Sequence, residues 1–444
     1  MAWMPMSDAV ATPSHRHDLL AAMKLLLAAP LFSTAPVRRR RWSDAMLVWA
    51  AVLMVWLEQP TLAQRFARMR DLLTDVFTSR RRVGATYQGL TKALIRHSPR
   101  LLRSLETHLR RQAASLEVPC PSPVDRPLLT VDGTKVDLPR TRANERGFEV
   151  AGKDKCRPQA WVTCLMHLAS GALHAWRIGP ARASERGHLR HMLKHLPENA
   201  MLVADAGFVG YDLMMCLHQR GHRFLIRVGG NVRLIRQLGY AREAGDTVYL
   251  WPHKVRRAGQ TPLVLRLIVL RDRGRPVYLV TNELKHAAMS NKQVGQLYAM
   301  RWGIEVCYRG LKQTLGRRKM ASHAPVQAAL ELRWTLVAYA ALRLMTIAAI
   351  VDRGGDPQRM SVAGALVCMR RVLQRPTHRH RRGQSLYRKL GRALIDNYER
   401  KGPKRPRPHA QKKHDQPPRP PRLNKATPLQ VKCAQRLSKP ETKH

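Results

Sequence analysis

Six residues stand out because their types and spacing suit chemistry. Asp132 and Asp205 each follow a short apolar run, Leu128–Val131 and Met201–Ala204. Each also opens a glycine-containing turn, Asp132-Gly133-Thr134 and Asp205-Ala206-Gly207. The other four, Tyr298, Arg301, Glu305 and Lys312, fall within residues 298–312. On one α-helix at about 100° per residue, Arg301, Glu305 and Lys312 would lie at roughly −60°, −20° and −40° from Tyr298, on one narrow face. Such a face can hold a phosphate and a metal together. Plainer accounts fit the same residues: Asp-Gly is a common turn, and Arg301–Glu305 is ordinary i,i+4 pairing. Active-site groups gather at the carboxyl ends of strands in open α/β sheets, which favours a functional role for the aspartates. Spacing alone does not decide the matter.

The elements that must carry these residues read as a mixed α/β sheet with helices packed on it. Leu128–Val131 is a short strand, and Ala160–Leu168 and Ala172–Ile178 form a hairpin around Ser170-Gly171. Ser184 caps a helix over Glu185–Leu196; Met201–Ala204 is a strand, Tyr211–Arg220 a helix and Phe224–Val228 another strand. Residues 229–276 are turn-rich with strand-like runs at Thr247–Trp251 and Leu263–Leu270, the pattern of a mostly β insertion. Val277–Thr281 is again a strand, followed by long helical patterns over Asn291–Leu315 and Val326–Val351.

Composition sets the partner class. The 444 residues carry 79 Lys and Arg against 30 Asp and Glu, a net charge of +49 spread along the chain, as in nucleic-acid-binding proteins. Hydrophobic residues make up 44%, enough for sizeable cores, so global disorder is excluded. The first hundred residues read as basic helices: Ser43 caps one that ends at Pro60, and Thr61–Phe77 and Tyr87–Gln112 follow. A DNA-end-binding domain and a solvated helical bundle fit them equally well. Beyond Pro357 the chain turns basic, and Lys401–Lys425 is too rich in Pro, Lys and Arg for a packed core, so this end is expected to be largely disordered. Seven scattered cysteines without a Cys-x-x-Cys pair read as reduced thiols. Ala45–Leu57 is too short to span a bilayer, and Trp334–Val351 contains Arg343 without an evident partner, so both read as buried helices. Lys24 interrupts the apolar run Leu19–Phe32, which argues against a signal peptide. A soluble, cytoplasmic, nucleoid-associated protein is expected.

The spacing Tyr298-x2-Arg301-x3-Glu305-x6-Lys312 resembles the signature of the DDE transposases of the IS-four type, enzymes that move bacterial insertion sequences. Two further blocks agree, Thr130-Val-Asp132-Gly-Thr134 and Asp205-Ala-Gly-Phe208-x-Gly-Tyr211, as does the strand Val277–Asn282 before the signature. The resemblance covers about Leu128–Val351. It implies a ribonuclease-H-like catalytic core interrupted by a β insertion, with Asp132, Asp205 and Glu305 as catalytic residues binding two Mg²⁺ or Mn²⁺ ions. Hard cations of this kind take carboxylate rather than Cys or His ligands. It also implies that Tyr298, Arg301 and Lys312 hold phosphates near the element's 5′ end. The implied partners are the element's terminal inverted repeats and target DNA, bound by a homodimer.

The expected domains are a helical region at 1–125, the core at 126–228 and 277–356, the insertion at 229–276 and a basic end at 357–444. Trp251 is a candidate for stacking on a flipped base, with a core tryptophan at least as good an account. Arg227, at the end of the strand Phe224–Val228, is a candidate DNA contact. Asp137 rivals Asp132 as the first ligand but fits the block less well. His188, His191 and His195 read as helix surface. The competing functions are a related metal-dependent nuclease without strand transfer and a non-catalytic, transposase-derived DNA-binding protein.

Overall fold

The computed structural model describes residues 42–76, 83–118, 126–151, 157–239, 245–272, 275–374, 386–395 and 419–438. Helices α1 (Asp44–Trp56), α2 (Leu62–Val76) and α3 (Tyr87–Ala114) precede strand β1 (Leu128–Asp137). Helix α4 (Arg142–Phe148) leads into the hairpin β2 (Gln159–His167) and β3 (Leu173–Pro180). Next come α5 (Glu185–Met192), β4 (Met201–Ala204), α6 (Tyr211–Gln219) and β5 (Arg223–Val228). Strands β6 (Arg233–Arg236) and β7 (Thr247–Leu250), helix α7 (His253–Arg257), and strands β8 (Leu263–Asp272) and β9 (Arg275–Thr281) follow. Helices α8 (Asn291–Met300), α9 (Trp302–Arg309), α10 (Pro325–Val351), α11 (Val362–Gln374) and α12 (Leu386–Leu390) come next. Strand β10 (Arg422–Lys425) and helix α13 (Pro428–Ser438) end the described chain. It is a mixed α/β protein of two compact units. The chain passes between them after residues 119, 132, 183, 302 and 396, the second of these inside β1.

The first unit draws on residues 1–119, 133–183 and 303–396. Its core is built on α10, which packs against α1 and α3. Helix α10 is long and apolar enough to cross a membrane, yet 94% of its most apolar stretch is buried within the protein. Hydrogen bonds pin it: Trp56 Nε1 donates to the Ala338 carbonyl at 3.1 Å and Trp334 Nε1 to Ser98 Oγ at 2.8 Å. Arg343 does have a partner. Its Nε and Nη2 donate to the Gly171 carbonyl at 3.1 and 2.6 Å, and Nη1 to Tyr339 Oη at 3.3 Å. Gly171 supplies the positive φ of 71° that the β2–β3 turn requires. A charge buried this way is compensated by a backbone carbonyl rather than by an acid.

The second unit draws on residues 120–132, 184–302 and 397–444. Its strands lie in the order β10-β6-β7-β8-β9-β5-β4-β1. The start of β1 pairs parallel with β4, and β4 parallel with β5. Leu128–Val131 and all of β4 are buried, which explains why both strands are unbroken apolar runs rather than alternating ones. The insertion is mostly β as expected, with α7 as its helix. It does not stand apart: β8 pairs along the whole of β9, extending the sheet. The buried Arg266 on β8 ties this sheet to the start of α8, pairing with Asp246 at 3.2 Å and donating to the Met289 carbonyl and to Asn291.

The basic end is more structured than its composition predicts. Helices α11, α12 and α13 form, and β10 pairs parallel with β6. Residues 396–418 lie outside the described residues, as does the apolar run Leu19–Phe32.

Candidate active site

The two aspartates come together in the second unit. Val131 stands opposite Ala204 in the parallel register of β1 and β4. Asp132 and Asp205 are the next residue on each strand, at the same carboxyl edge, on strands separated by about 4.8 Å. Asp205 is still extended (φ −89°, ψ −179°), and its Oδ1 accepts the Gly207 N–H at 2.7 Å, capping a 3-10 turn over Ala206–Phe208. Glycine at 207 leaves room for another carboxylate: a Cβ there would lie 3.1 Å from Glu185 Oε2. The sequence reading saw Glu185 only as the first residue of a capped helix.

The same edge gathers three more candidates. Ile226 stands opposite Ala204 on β5, so Arg227 follows beside Asp205. Tyr298, on α8, is close enough to Arg301, Arg227 and Asp205 to feel their charges. Burial raises the Tyr298 phenol pKa; the two guanidiniums pull it down and Asp205 pushes it up. The Arg301 guanidinium lies over the Tyr298 ring, 5.5 Å from its centroid, and also beside the buried hydroxyl, which makes no well-aligned hydrogen bond. A guanidinium only donates, so the hydroxyl proton stays available to an acceptor.

Glu305 and Lys312 belong to the first unit. Glu305 is half-buried on α9, whose continuation over Gly310–Thr314 winds as a π-helix. A side chain distant in sequence bonds into the ladder just before it: Tyr339 Oη donates to the Cys307 carbonyl at 2.8 Å, the kind of insertion that widens a helical turn. Only glycine fits at 310, because a Cβ would collide with that hydroxyl. Burial lowers the Lys312 pKa, the Asp137 carboxylate raises it and Arg318 lowers it. Asp137 is already engaged, accepting from Gln159 Nε2 at 2.8 Å with Arg157 Nη1 4.0 Å away.

Three expectations change. The single helix over Asn291–Leu315 is not formed: α8 stops at Met300, Arg301 is a turn residue, and the stretch ends in the π-helix. The phase angles drawn for one straight helix therefore do not hold through to Lys312. Trp251 is only 4% exposed, and its Nε1 donates to the Gln260 carbonyl at 2.8 Å, so its ring sits in the core rather than at a surface for stacking. His188 is buried, not on the helix surface.

Among the described residues no three or more His, Cys, Asp or Glu side chains form a metal cage. The Asp132–Asp205 pair nonetheless fits a hard divalent cation, offering carboxylate oxygens from two rigid strand ends.

Residues 123–341 match the transposase DDE domain, and the chain is a DDE transposase. Over 328 residues it is 26% identical to the transposase InsG of insertion sequence element IS4 from Escherichia coli strain K12, covering 71% of this chain and 72% of that one. A cryo-EM structure of the piggyBac transposase synaptic complex with hairpin DNA aligns with a TM-score of 0.41 at 14% identity, covering 85% and 86% of the two chains. The protein is thus a DNA transposase of the insertion-sequence kind, an enzyme that binds DNA, and its family works with divalent metal ions.

Proposed function

We propose that the chain performs cut-and-paste transposition, cleaving phosphodiester bonds at the ends of its element and joining the freed 3′-hydroxyls to target DNA. The observation that carries this reading is the register setting Asp132 beside Asp205. Asp132, Asp205 and Glu305 are assigned as ligands of two Mg²⁺ or Mn²⁺ ions, and Asp137, engaged by Gln159, is set aside. When bound, the cations supply an activated oxygen nucleophile and stabilise the leaving oxygen. The chain's side chains orient the substrate. Arg227 and Arg301 face the phosphate with bidentate donors, the Tyr298 hydroxyl donates to a phosphate oxygen, and Lys312 adds a point charge. The parallel β1, β4 and β5, with the β2–β3 hairpin between β1 and β4 in sequence, support a ribonuclease-H-like core. The basic N-terminal helices are assigned to gripping element ends, the protein to a homodimer on DNA, and its location to the cytoplasm and nucleoid.

The test incubates purified protein with labelled element-end duplex, supercoiled target plasmid and Mg²⁺. Cleaved ends together with joined products are expected. Hydrolysis without joining would make the protein a nuclease, and undiminished strand transfer by Glu305→Ala would overturn the ligand assignment.

A further inference from the structure

The strongest unassigned feature is the edge of the second unit's sheet, where β10 pairs with β6. The register sets Arg422 opposite Arg233 and Lys425 opposite Arg236. Neighbouring strands lie about 4.8 Å apart, and like charges directly opposite destabilise a pair of strands. All four residues of β10, Leu423 included, are exposed, so little apolar burial on the strand itself offsets this. Among the described residues none of Arg233, Arg236, Arg422, Lys425 or Arg419 takes part in an ion pair. The strand is therefore held against a repulsion that an anion lying between the side chains would turn into attraction.

The path of the chain shows which anion fits. Just before β10, Arg419 crosses the turn after β5 so closely that a Cβ on Gly230 would lie 3.0 Å from Arg419 Cβ. That turn begins one residue after Val228, and the preceding residue, Arg227, is the one beside Asp205. The two pairs lie three residues apart along each strand, so Arg233 and Arg422 share one face of the sheet and Arg236 and Lys425 the other. With Arg419, the first pair sets exposed cations between the turn that follows the aspartate corner and the sheet edge. We propose that Arg419, Arg233 and Arg422 form a DNA track, binding phosphates of duplex DNA entering or leaving the aspartate corner. Phosphate contacts of this kind position a duplex without reading its sequence. The track rests on the protein being a DNA transposase, but it assigns a binding surface that the catalytic residues do not require.

The test measures binding of a fluorescein-labelled, mixed-sequence 30-base-pair duplex by full-length protein in EDTA, between about 50 and 200 mM salt. No cleavage occurs in EDTA, so failure of the track and failure of the catalytic reading are separable. Each lost phosphate contact lowers the slope of log K against log salt by about 0.9. Arg233→Gln/Arg419→Gln/Arg422→Gln is expected to reduce the slope by about 2–3. Arg353→Gln/Arg371→Gln/Arg388→Gln, exposed positions in the other unit that remove the same charge, should change it by less than about 1. Arg233→Lys/Arg422→Lys should keep the slope, and the free Gln variant should melt no lower than the parent because a repulsion has been removed. Equal slope losses in both triple variants would reduce the effect to net charge. An unchanged slope in the track variant, or a loss in the Lys variant as large as in the Gln variant, would also overturn the proposal.

Discussion

Asp132 and Asp205 stand next to each other, one residue beyond the registered pair Val131–Ala204, where the buried start of β1 runs parallel to the buried β4. Two carboxylates on rigid neighbouring strands repel each other until a cation joins them. A divalent ion bound between them would give relief from that repulsion.

Thermal melting should show that relief directly. Mg²⁺ or Mn²⁺ at 100 times its dissociation constant is expected to stabilise the protein by about 2.7 kcal/mol, seen as a rise in Tm. Asp132→Asn and Asp205→Asn should each raise the metal-free Tm, flatten the metal response and slow strand cleavage roughly 10³-fold, about 4 kcal/mol of lost stabilisation. A full metal response in both variants would place the cation elsewhere.

Tyr298→Phe separates binding from folding. The hydroxyl makes no well-aligned hydrogen bond, only a loose contact with the Arg301 guanidinium, so its removal should leave the Tm nearly unchanged. Cleavage of element-end DNA should fall about tenfold, the worth of one hydrogen bond to a charged phosphate. A large drop in Tm with normal cleavage would make the residue structural.

Acid sensitivity should trace to the His167–His174 pair, whose rings meet at 2.9 Å between Nε2 and Nδ1. Burial, and then the charge of His174, lowers the His167 pKa from 6.5 to about 3. The folded state thus holds this ring neutral; its contribution is complete above pH 6.5 and is lost as pH falls toward 3. The loss proceeds at up to about 1.4 kcal/mol per pH unit. Urea denaturation of His167→Gln should show a shallower decline across that window, and an unchanged slope would exclude the pair as the cause.

Arg343→Ala is expected to cost roughly 3 kcal/mol or more, since it strips the Gly171 carbonyl of its donors and leaves a cavity beside Tyr339. Arg343→Lys should recover only part of that loss, because an ammonium cannot reproduce the guanidinium's fork. Denaturant midpoints would decide; a neutral Arg343→Ala would mean that water satisfies the carbonyl.

Much of this molecule was legible in the residues. Met201–Ala204 reads as a buried strand because parallel strands are apolar throughout, and Ser43 and Ser184 cap helices where they were expected to, each accepting a backbone N–H three residues on. The aspartates were legible as strand-end residues, but their adjacency depends on a register that no local pattern encodes. The break at Arg301 was illegible for a similar reason: residues 298–312 suit a helix locally, and the π-helix depends on Tyr339, distant in sequence. Trp251 read equally as a core or a stacking residue, because its bond to the Gln260 carbonyl nine residues on is not visible in the local pattern. The strand β10 was hidden by a composition that argues for disorder, because its pairing partner is far away in the chain.

The π-helix at Gly310–Thr314 also bears on how the family's signature should be read. The six residues separating Glu305 from Lys312 cross a widened turn that holds one more residue than ordinary winding would. Deleting one residue there would let the turn rewind to ordinary α geometry and keep Lys312 directed toward Asp137, although the six-residue spacing of the signature would be lost. In this chain a pattern written as residue counts therefore encodes an insertion, and a homologue one residue shorter at this point, without the widened turn, would break the count while keeping the lysine's direction.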